Sequence, residues 1–399
     1  MKKLIISICC ILPLIAQQDI IIDPDLSPYS GSSAFLYGQS AIIELKDRYS
    51  QDTQNANSKR AFVKRLIGQL IVWDTLGVLS SVAQHEIFGH GYRLRELGYD
   101  PLEYQVTPWG GYTQFSVPES FTVGENLAVT VAGLEAEAIL ANKAKMNWMR
   151  SGIIDGRKTA LYLQAQQSVF WYTWITDLGR LKGEEAADGN DVSNYISLLN
   201  ASYGTDINSG DLMKWVAFNW LDPMTFYCYF AKLKYICTGQ TLEFPTIPLG
   251  DSVRYLPNAR IGYAPYGVEA YFENFFAING EPLYAYVKGG KRSFGMGFAF
   301  DRILASKRGE VGLHVDAWRQ NRFISDKTIG DLDDGLSVRS PKLDEKIWGL
   351  SGSVVGRLNL SKDLSLYAEV GGKSDGYLPG YPLSKSFVGR VGLTFKTLP

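Results

Sequence analysis

The sequence predicts an α+β protein in which a helical N-terminal domain is followed by a C-terminal antiparallel β-barrel of about eight strands. Hydrophobic residues recur at helical spacing from about residue 60 to residue 237, and they alternate with a period of two from about residue 258. The N-terminus adds a third observation, because it is basic and then apolar. With 399 residues, the chain also exceeds the usual size of one compact domain, which favours two domains.

The N-terminus has the layout of a secretory signal. Two lysines precede an apolar run over residues 4–15, and the small residue Ala16 stands before a polar stretch. The run is too short to cross a bilayer as a helix, so we expect residues 1–16 to be a signal peptide. Residues 17–59 are polar, with scattered Pro, Gly and Ser, and predict an extended lead-in.

Residues 60–245 predict a helical domain. The stretches with helical hydrophobic periodicity are Ala61–Leu97, Asn126–Met149, Thr159–Leu181 and Leu212–Ile236. Between the first two stretches lies an insert rich in glycine and aromatic residues, Trp109-Gly110-Gly111-Tyr112, which predicts a short strand or an edge loop.

Residues 258–399 predict the β-barrel. The predicted strands are 258–266, 268–279, 282–290, 293–302, 309–318, 346–359, 364–372 and 386–395. One face of these strands is aromatic and aliphatic, as in Phe294, Met296 and Phe298. The other face is rich in glycine and carries the charged residues Lys288, Asp301, Asp316, Arg357, Glu369 and Arg390.

An outward apolar face with an inward charged face is typical of a small transmembrane barrel. A soluble β-sandwich or lipocalin-like barrel, with the apolar face inward, has the same alternation and remains the alternative. Together with the signal peptide, the barrel predicts secretion across the inner membrane to the outer membrane or periplasm of a Gram-negative-type bacterium, with outer-membrane lipid as a partner. The net charge of −1 and the lack of a basic tract argue against nucleic acid as a partner.

A metal-site signature lies in the first long helix. The chain has three histidines, and two of them flank a glutamate in His85-Glu86-Ile87-Phe88-Gly89-His90. Two imidazoles on one helix face can share a zinc ion, and an adjacent glutamate can accept a proton from water. We therefore predict His85 and His90 as Zn²⁺ ligands, with Glu86 as the catalytic general base.

The spacing of the two histidines requires a distorted helix. It is one residue longer than His-Glu-x-x-His, and residues five apart diverge by about 140° in a regular α-helix. A π-bulge over residues 86–90, helped by Gly89, would return both imidazoles to one face. The alternative is a pair of buried histidines in a packed helix without metal.

The stretch from His85 to Gly91 resembles the metal helix of the dipeptidyl peptidase III family, which carries His-Glu-x-x-Gly-His. That family takes its third ligand from a glutamate on a later helix. In this chain the resemblance implies Glu135, in Gly133-Leu134-Glu135-Ala136-Glu137-Ala138, as the third zinc ligand. Glu137 is the second choice, or an outer-shell partner to a ligand histidine.

The region from His85 to Gln114 is also similar to the site-2 protease family, in which a zinc helix leads to a Gly-Gly-Tyr edge strand that binds substrate. The segment Trp109–Phe115 stands in the corresponding place, and a later aspartate ligand would match Asp222. Both resemblances imply a zincin-like metal site within residues 60–245.

The predicted function is therefore a zinc-dependent metallohydrolase of the cell envelope, and most specifically a peptidase acting on a peptide or protein. Tyr92, Arg93 and Tyr112 are candidates for stabilising an oxyanion. The alternatives are an inactive zincin with structural zinc and a non-enzymatic outer-membrane barrel protein, such as an adhesin or assembly factor. We expect His314 to belong to a polar network inside the barrel, and the acidic stretch from Glu184 to Asp191 to begin a helix rather than to bind calcium.

Overall fold

A computed structural model describes residues 17–49, 58–184 and 189–395. The signal peptide predicted for residues 1–16 lies outside this range. The described residues form a mixed helical and strand structure with one large antiparallel sheet, which confirms the α+β class.

The helices fill most of the chain between residues 28 and 238. They are α1 (Pro28–Tyr49), α2 (Lys59–Gly68), α3 (Asp74–His85), α4 (Gly91–Glu96), α5 (Val123–Ser151), α6 (Thr159–Lys182), α7 (Asp191–Tyr203), α8 (Ser209–Val216), α9 (Pro223–Thr238) and the short α10 (Ile329–Asp333). Two π-helical turns, Gln69–Trp73 and Glu86–His90, join α2, α3 and α4 into one run, Lys59–Glu96, which we call the motif helix. The four predicted stretches are helical, but the fourth, Leu212–Ile236, is divided between α8 and α9 by a 3-10 turn and the extended residue Asp222.

The lead-in differs from its prediction, because residues 17–49 are not extended throughout. A strand, Gln18–Ile22, is followed by the 22-residue helix α1. This helix buries small polar residues such as Ser30, Ser32 and Ser33. Small residues let α1 pack closely on its neighbours, but they give no periodic hydrophobic signal, so the sequence pattern did not predict a helix.

The large sheet has ten strands in the order β1-β14-β13-β12-β11-β10-β9-β8-β7-β6. Its strands are β1 (Gln18–Ile22), β6 (Ile247–Pro248), β7 (Val253–Ala264), β8 (Gly267–Ile278), β9 (Glu281–Gly290), β10 (Ser293–Ser306), β11 (Gly309–Asn321), β12 (Lys346–Asn359), β13 (Leu364–Lys373) and β14 (Ser386–Phe395). Two-stranded pairs are formed by β2 (Glu103–Thr107) with β3 (Gly110–Gln114), and by β4 (Ile153–Ile154) with β5 (Leu242–Glu243).

All eight predicted strands are present, but the predicted barrel is wrong, because the sheet is not closed. Its outermost strands are β1, contributed by the lead-in, and the short β6. Helix α5 packs on β7, β8 and β9. Alternation along a strand assigns residues to faces, but it does not determine whether the first and last strands of a sheet meet.

The two faces of the sheet have the predicted polarity. The inner face holds buried ion pairs, including Lys288 with Glu269 at 2.9 Å and Arg390 with Glu369 at 2.9 Å. His314 lies in the same network, with Nε2 2.7 Å from an Asp301 carboxylate oxygen, as predicted. The outer face is apolar and exposed.

Helix α5 is the central element between the motif helix and the sheet. It begins with a capping box, in which the Thr122 side chain accepts a hydrogen bond from the Glu125 N–H and the Glu125 side chain accepts one from the Thr122 N–H. It ends at Gly152, whose φ of 71° suits glycine. Between these caps it is buried on most sides, so it contacts both layers of the protein.

We expect Lys288→Met to destabilise the protein, because it leaves Glu269 charged and without its cation in a buried site. The expected loss in the free energy of unfolding is about 3–5 kcal/mol. The double variant Lys288→Met/Glu269→Gln should recover part of that loss. Unfolding followed by circular dichroism measures both effects. The matched control is Lys291→Met at an exposed turn, for which a change of less than about 0.5 kcal/mol is expected.

Candidate metal centre

The two motif histidines converge because the helix that carries them is locally π-helical. Residues Glu86–His90 form a π turn, and the Gly91 N–H donates to the Glu86 carbonyl five residues earlier. This places the Nε2 atoms of His85 and His90 3.0 Å apart. The predicted π-bulge over residues 86–90 is confirmed.

Asp191 supplies the third donor atom. Its Oδ2 lies 3.0 Å from His85 Nε2 and 3.2 Å from His90 Nε2, and the ligand atoms of the three residues lie within 4.8 Å of one another. Zinc bonds of about 2.0–2.2 Å in a tetrahedral site put ligand atoms about 3.3 Å apart. The spacing of the three atoms fits one tetrahedrally coordinated ion with one position left open.

Asp191 is held in place by the start of α7. Asn190 caps this helix by accepting a hydrogen bond from the Ser193 N–H, and it also accepts one from Thr176 on α6. Burial raises the pKa of the Asp191 carboxyl, but the charge of His90 and hydrogen bonds from both histidines lower it more, so that the pKa lies well below its usual value. The Asp191 carboxylate is therefore ionised at neutral pH and can act as a metal ligand.

Helix α5 holds the Nδ1 atom of each histidine in place. His85 Nδ1 lies 2.9 Å from Glu137 Oε2, and Glu137 in turn accepts a hydrogen bond of 2.7 Å from Ser81. His90 Nδ1 lies 2.7 Å from the Val129 carbonyl oxygen. A metal ion would replace the Nε2 protons that face Asp191, while each Nδ1 keeps its proton, so that each Nε2 would direct a lone pair at the ion. Glu137 thus occupies the outer-shell position that was one of its two predicted roles.

Two glycines allow the motif helix and α5 to approach this closely. A Cβ atom added to Gly133 would lie 2.3 Å from His85 Nε2, and one added to Gly89 would lie 2.7 Å from the Ala132 carbonyl oxygen. Neither position has room for a side chain. The glycine at each position is therefore a condition for bringing His85 and His90 against α5.

Glu135, predicted as the third ligand, is placed elsewhere. Its carboxylate accepts hydrogen bonds from Arg93 at 3.1 and 3.2 Å and from the Tyr377 hydroxyl at 3.0 Å. Residues two apart on a helix point about 200° apart, so only one of Glu135 and Glu137 can face His85. The assignment of Glu135 as a ligand is corrected to Asp191.

Asp222 and His314 also lie outside this group of donor atoms. Asp222 caps α9 and accepts hydrogen bonds from the Met224 N–H and the Tyr162 hydroxyl. His314 belongs to the network on the inner face of the sheet. Both residues are therefore engaged in structural contacts and supply no metal ligand.

Glu86 is buried beside the metal ligands and is oriented by β3. Thr113 Oγ1 donates to Glu86 Oε2 at 2.8 Å, and a Cβ atom on Gly111 would lie 2.8 Å from Glu86 Cγ. The predicted insert is therefore a strand, and it crosses directly over the predicted base.

The candidates for oxyanion stabilisation are in different surroundings. Arg93 is buried in ion pairs with Glu96 and Glu135, and Tyr92 is buried. Tyr112 is partly exposed and donates to Glu103. Tyr172 was not predicted, yet its ring stacks on His85 with 5.2 Å between ring centroids.

No family model matches this chain, and no curated protein or solved structure matches it either. The resemblances to two peptidase families therefore gain no support from the comparisons, and the site must be interpreted from its own geometry.

We expect Glu137→Gln to weaken metal binding, because the amide no longer polarises the His85 imidazole as the carboxylate does. Removing such an outer-shell partner typically lowers metal affinity by about 10–100-fold. Competition with a chromogenic chelator measures the affinity. Glu135→Gln is the matched control on the same helix. It should lower thermal stability through Arg93 but leave the affinity within about twofold. Equal weakening by both variants would contradict the outer-shell role of Glu137.

Proposed function

We propose that this protein is a metal-dependent hydrolase, and most specifically a zinc peptidase. In this proposal His85, His90 and Asp191 hold one zinc ion and Glu86 is the general base. The observation that carries the proposal is the convergence of three donor atoms, within 4.8 Å of one another, beside a buried carboxylate.

The donor set favours zinc over magnesium and calcium. Two imidazole nitrogens and one carboxylate oxygen are borderline-soft ligands, which suit zinc better than magnesium or calcium. Three protein ligands with a fourth position open are typical of catalytic zinc, whereas structural zinc sites are closed by four protein ligands.

The chain's own residues can perform the proton transfers of amide hydrolysis. A bound zinc ion supplies Lewis acidity, which makes a water molecule more acidic. With zinc bound, Glu86 would take a proton from the attacking water as its oxygen bonds to the carbonyl carbon, and would pass that proton to the leaving amine as the C–N bond breaks. Thr113 holds one carboxylate oxygen of Glu86 at 2.8 Å, so the base is already oriented.

An extended peptide is the substrate that the neighbouring strand favours. Among the described strands, β3 pairs only with β2, so its second edge has unpaired backbone groups. A peptide can add to such an edge by backbone hydrogen bonds. Gly111 packs against Glu86, so a peptide added to β3 would lie close to the proposed base.

We also propose that the protein works in the cell envelope, with the outer face of the sheet in contact with outer-membrane lipid. This proposal is supported by the exposed apolar side chains of that face, such as Phe294, Met296 and Val391, which lie opposite the buried ion pairs. Apolar groups outward and charged groups inward suit a sheet surrounded by hydrocarbon.

Elemental analysis of the purified chain should find about one zinc per chain. His90→Ala and Asp191→Ala should lose the metal, because each removes one of three donor atoms. Asp251→Ala, at an exposed carboxylate outside the site, is the control and should keep it. A metal-free native protein, or full zinc retention in Asp191→Ala, would overturn the assigned ligands.

Glu86→Gln should keep zinc and lose hydrolysis of fluorescently labelled casein by at least about a hundredfold. Glu119→Gln, at an exposed carboxylate, is the matched control and should keep full activity. If the native protein binds zinc, unfolds on chelation and hydrolyses nothing, the zinc has only a structural role and the protein is not a peptidase.

A further inference from the structure

We propose that the helical layer carries its own bilayer-binding face, formed by the N-terminal half of the motif helix together with α6 and α9. We call it the helical apolar face and define it by Ile67, Leu70, Ile71, Ile175, Phe230 and Leu233. This inference extends the membrane contact from the sheet to the helices, and it does not depend on the hydrolase proposal.

The side chains of this face are unusually exposed for their type. Leu70 is 58% exposed, Ile71 67% and Phe230 60%. The motif helix is long and apolar enough to cross a membrane, yet only 28% of its most apolar window is buried inside the protein. The core helix of a soluble protein passes the same composition test but is mostly buried. A large exposed apolar patch marks a surface that binds another apolar phase.

The helices that carry the exposed residues are neighbours in the fold. The motif helix packs on α9, and α9 packs on α6. Two polar contacts join the first pair: Lys232 Nζ lies 2.9 Å from Asp74 Oδ1, and Arg65 Nε donates to the Ile236 carbonyl at 2.9 Å. Lys232 is thus paired with an opposite charge, and Arg65 has a hydrogen-bond acceptor. Without partners, both charged groups would be costly to place beside hydrocarbon.

The polar and aromatic residues around the face suit a lipid headgroup region. Lys59, Arg60 and Lys64 cluster at the first turns of α2, where they complement anionic headgroups. Trp174 on α6 is 41% exposed, and Trp215 on the neighbouring helix α8 is 56% exposed. Tryptophan and basic residues at the margin of an apolar surface are typical of the membrane interface.

A bilayer explains both exposed apolar surfaces of the protein at once. On the sheet, Leu350 and Phe387 are exposed on the outer face, while the charged side chains are buried on the opposite face. The helical apolar face likewise exposes apolar side chains. A second copy of the chain bound to the helical apolar face would leave the outer face of the sheet in water. Lipid is therefore the occupant that we propose for the helical apolar face.

Site-specific fluorescence can test the helical apolar face without involving the sheet or the metal. In the full chain, Cys9, Cys10 and the exposed Cys237 are replaced by Ser, while the buried Cys228 is kept. Ile71→Cys or Phe230→Cys is then labelled with the environment-sensitive dye NBD. The labelled protein is reconstituted into vesicles of phosphatidylethanolamine with a minority of phosphatidylglycerol. The matched control is Ser252→Cys, at an exposed loop position outside the face.

We expect the dye at positions 71 and 230 to emit at shorter wavelength and to lose most of its emission when the vesicles contain lipid spin-labelled on the acyl chain. The dye at position 252 should be quenched by aqueous iodide and not by the spin-labelled lipid. Iodide quenching at positions 71 and 230 would overturn the proposal. So would protection from both quenchers in a chain that sediments as a dimer, because a second copy would then be the occupant. The readout involves neither zinc nor hydrolysis, so its failure leaves the proposed enzyme activity standing.

Discussion

The structure depends on the contact between the π turn of the motif helix and α5. Gly89 lies against the backbone at Ala132, and Gly133 lies against the imidazole of His85. Only glycine fits at either point, so the two glycines allow the helices to approach each other closely. At this crossing α5 supplies Glu137 and the Val129 carbonyl, which orient the two histidines. The contact that packs the helical layer is therefore also the contact that brings together the candidate metal ligands.

The same helix connects the metal centre to the sheet through buried charge. Asn142 of α5 donates to Glu273 on β8 at 2.8 Å, on the side of the sheet that holds the ion pairs. Glu135 accepts hydrogen bonds from Arg93 of the motif helix, Tyr377 and the Gly380 N–H. Glu135 thus links α5 to the motif helix and to the segment that contains Tyr377 and Gly380. These partners compensate the cost of burying a carboxylate in an otherwise apolar helix.

Beside a large apolar core, the protein has buried charged side chains and exposed apolar surfaces. Charged side chains such as Lys288, Arg357 and Arg390 are buried, while large apolar side chains are exposed on the outer face of the sheet and on the helices. Buried charges are tolerated when they are paired and hydrogen-bonded, and here each of these three contacts a carboxylate. These three cations are thus compensated by carboxylates on the inner face of the sheet.

The sequence by itself determined the features that depend on short-range pattern. The four helical stretches, the eight strands with their polar and apolar faces, and the π turn between His85 and His90 follow from periodicity and local spacing. Tertiary structure decided what depends on packing between distant segments: the open sheet, the helix in the lead-in, and the choice of Asp191 over Glu135. Asp191 is 106 residues from His85, and nothing in the sequence near either residue specifies that contact. The contact forms because Asn190, which caps α7, accepts a hydrogen bond from Thr176 on α6. It also depends on Gly89 and Gly133, which allow the motif helix to approach α5 closely.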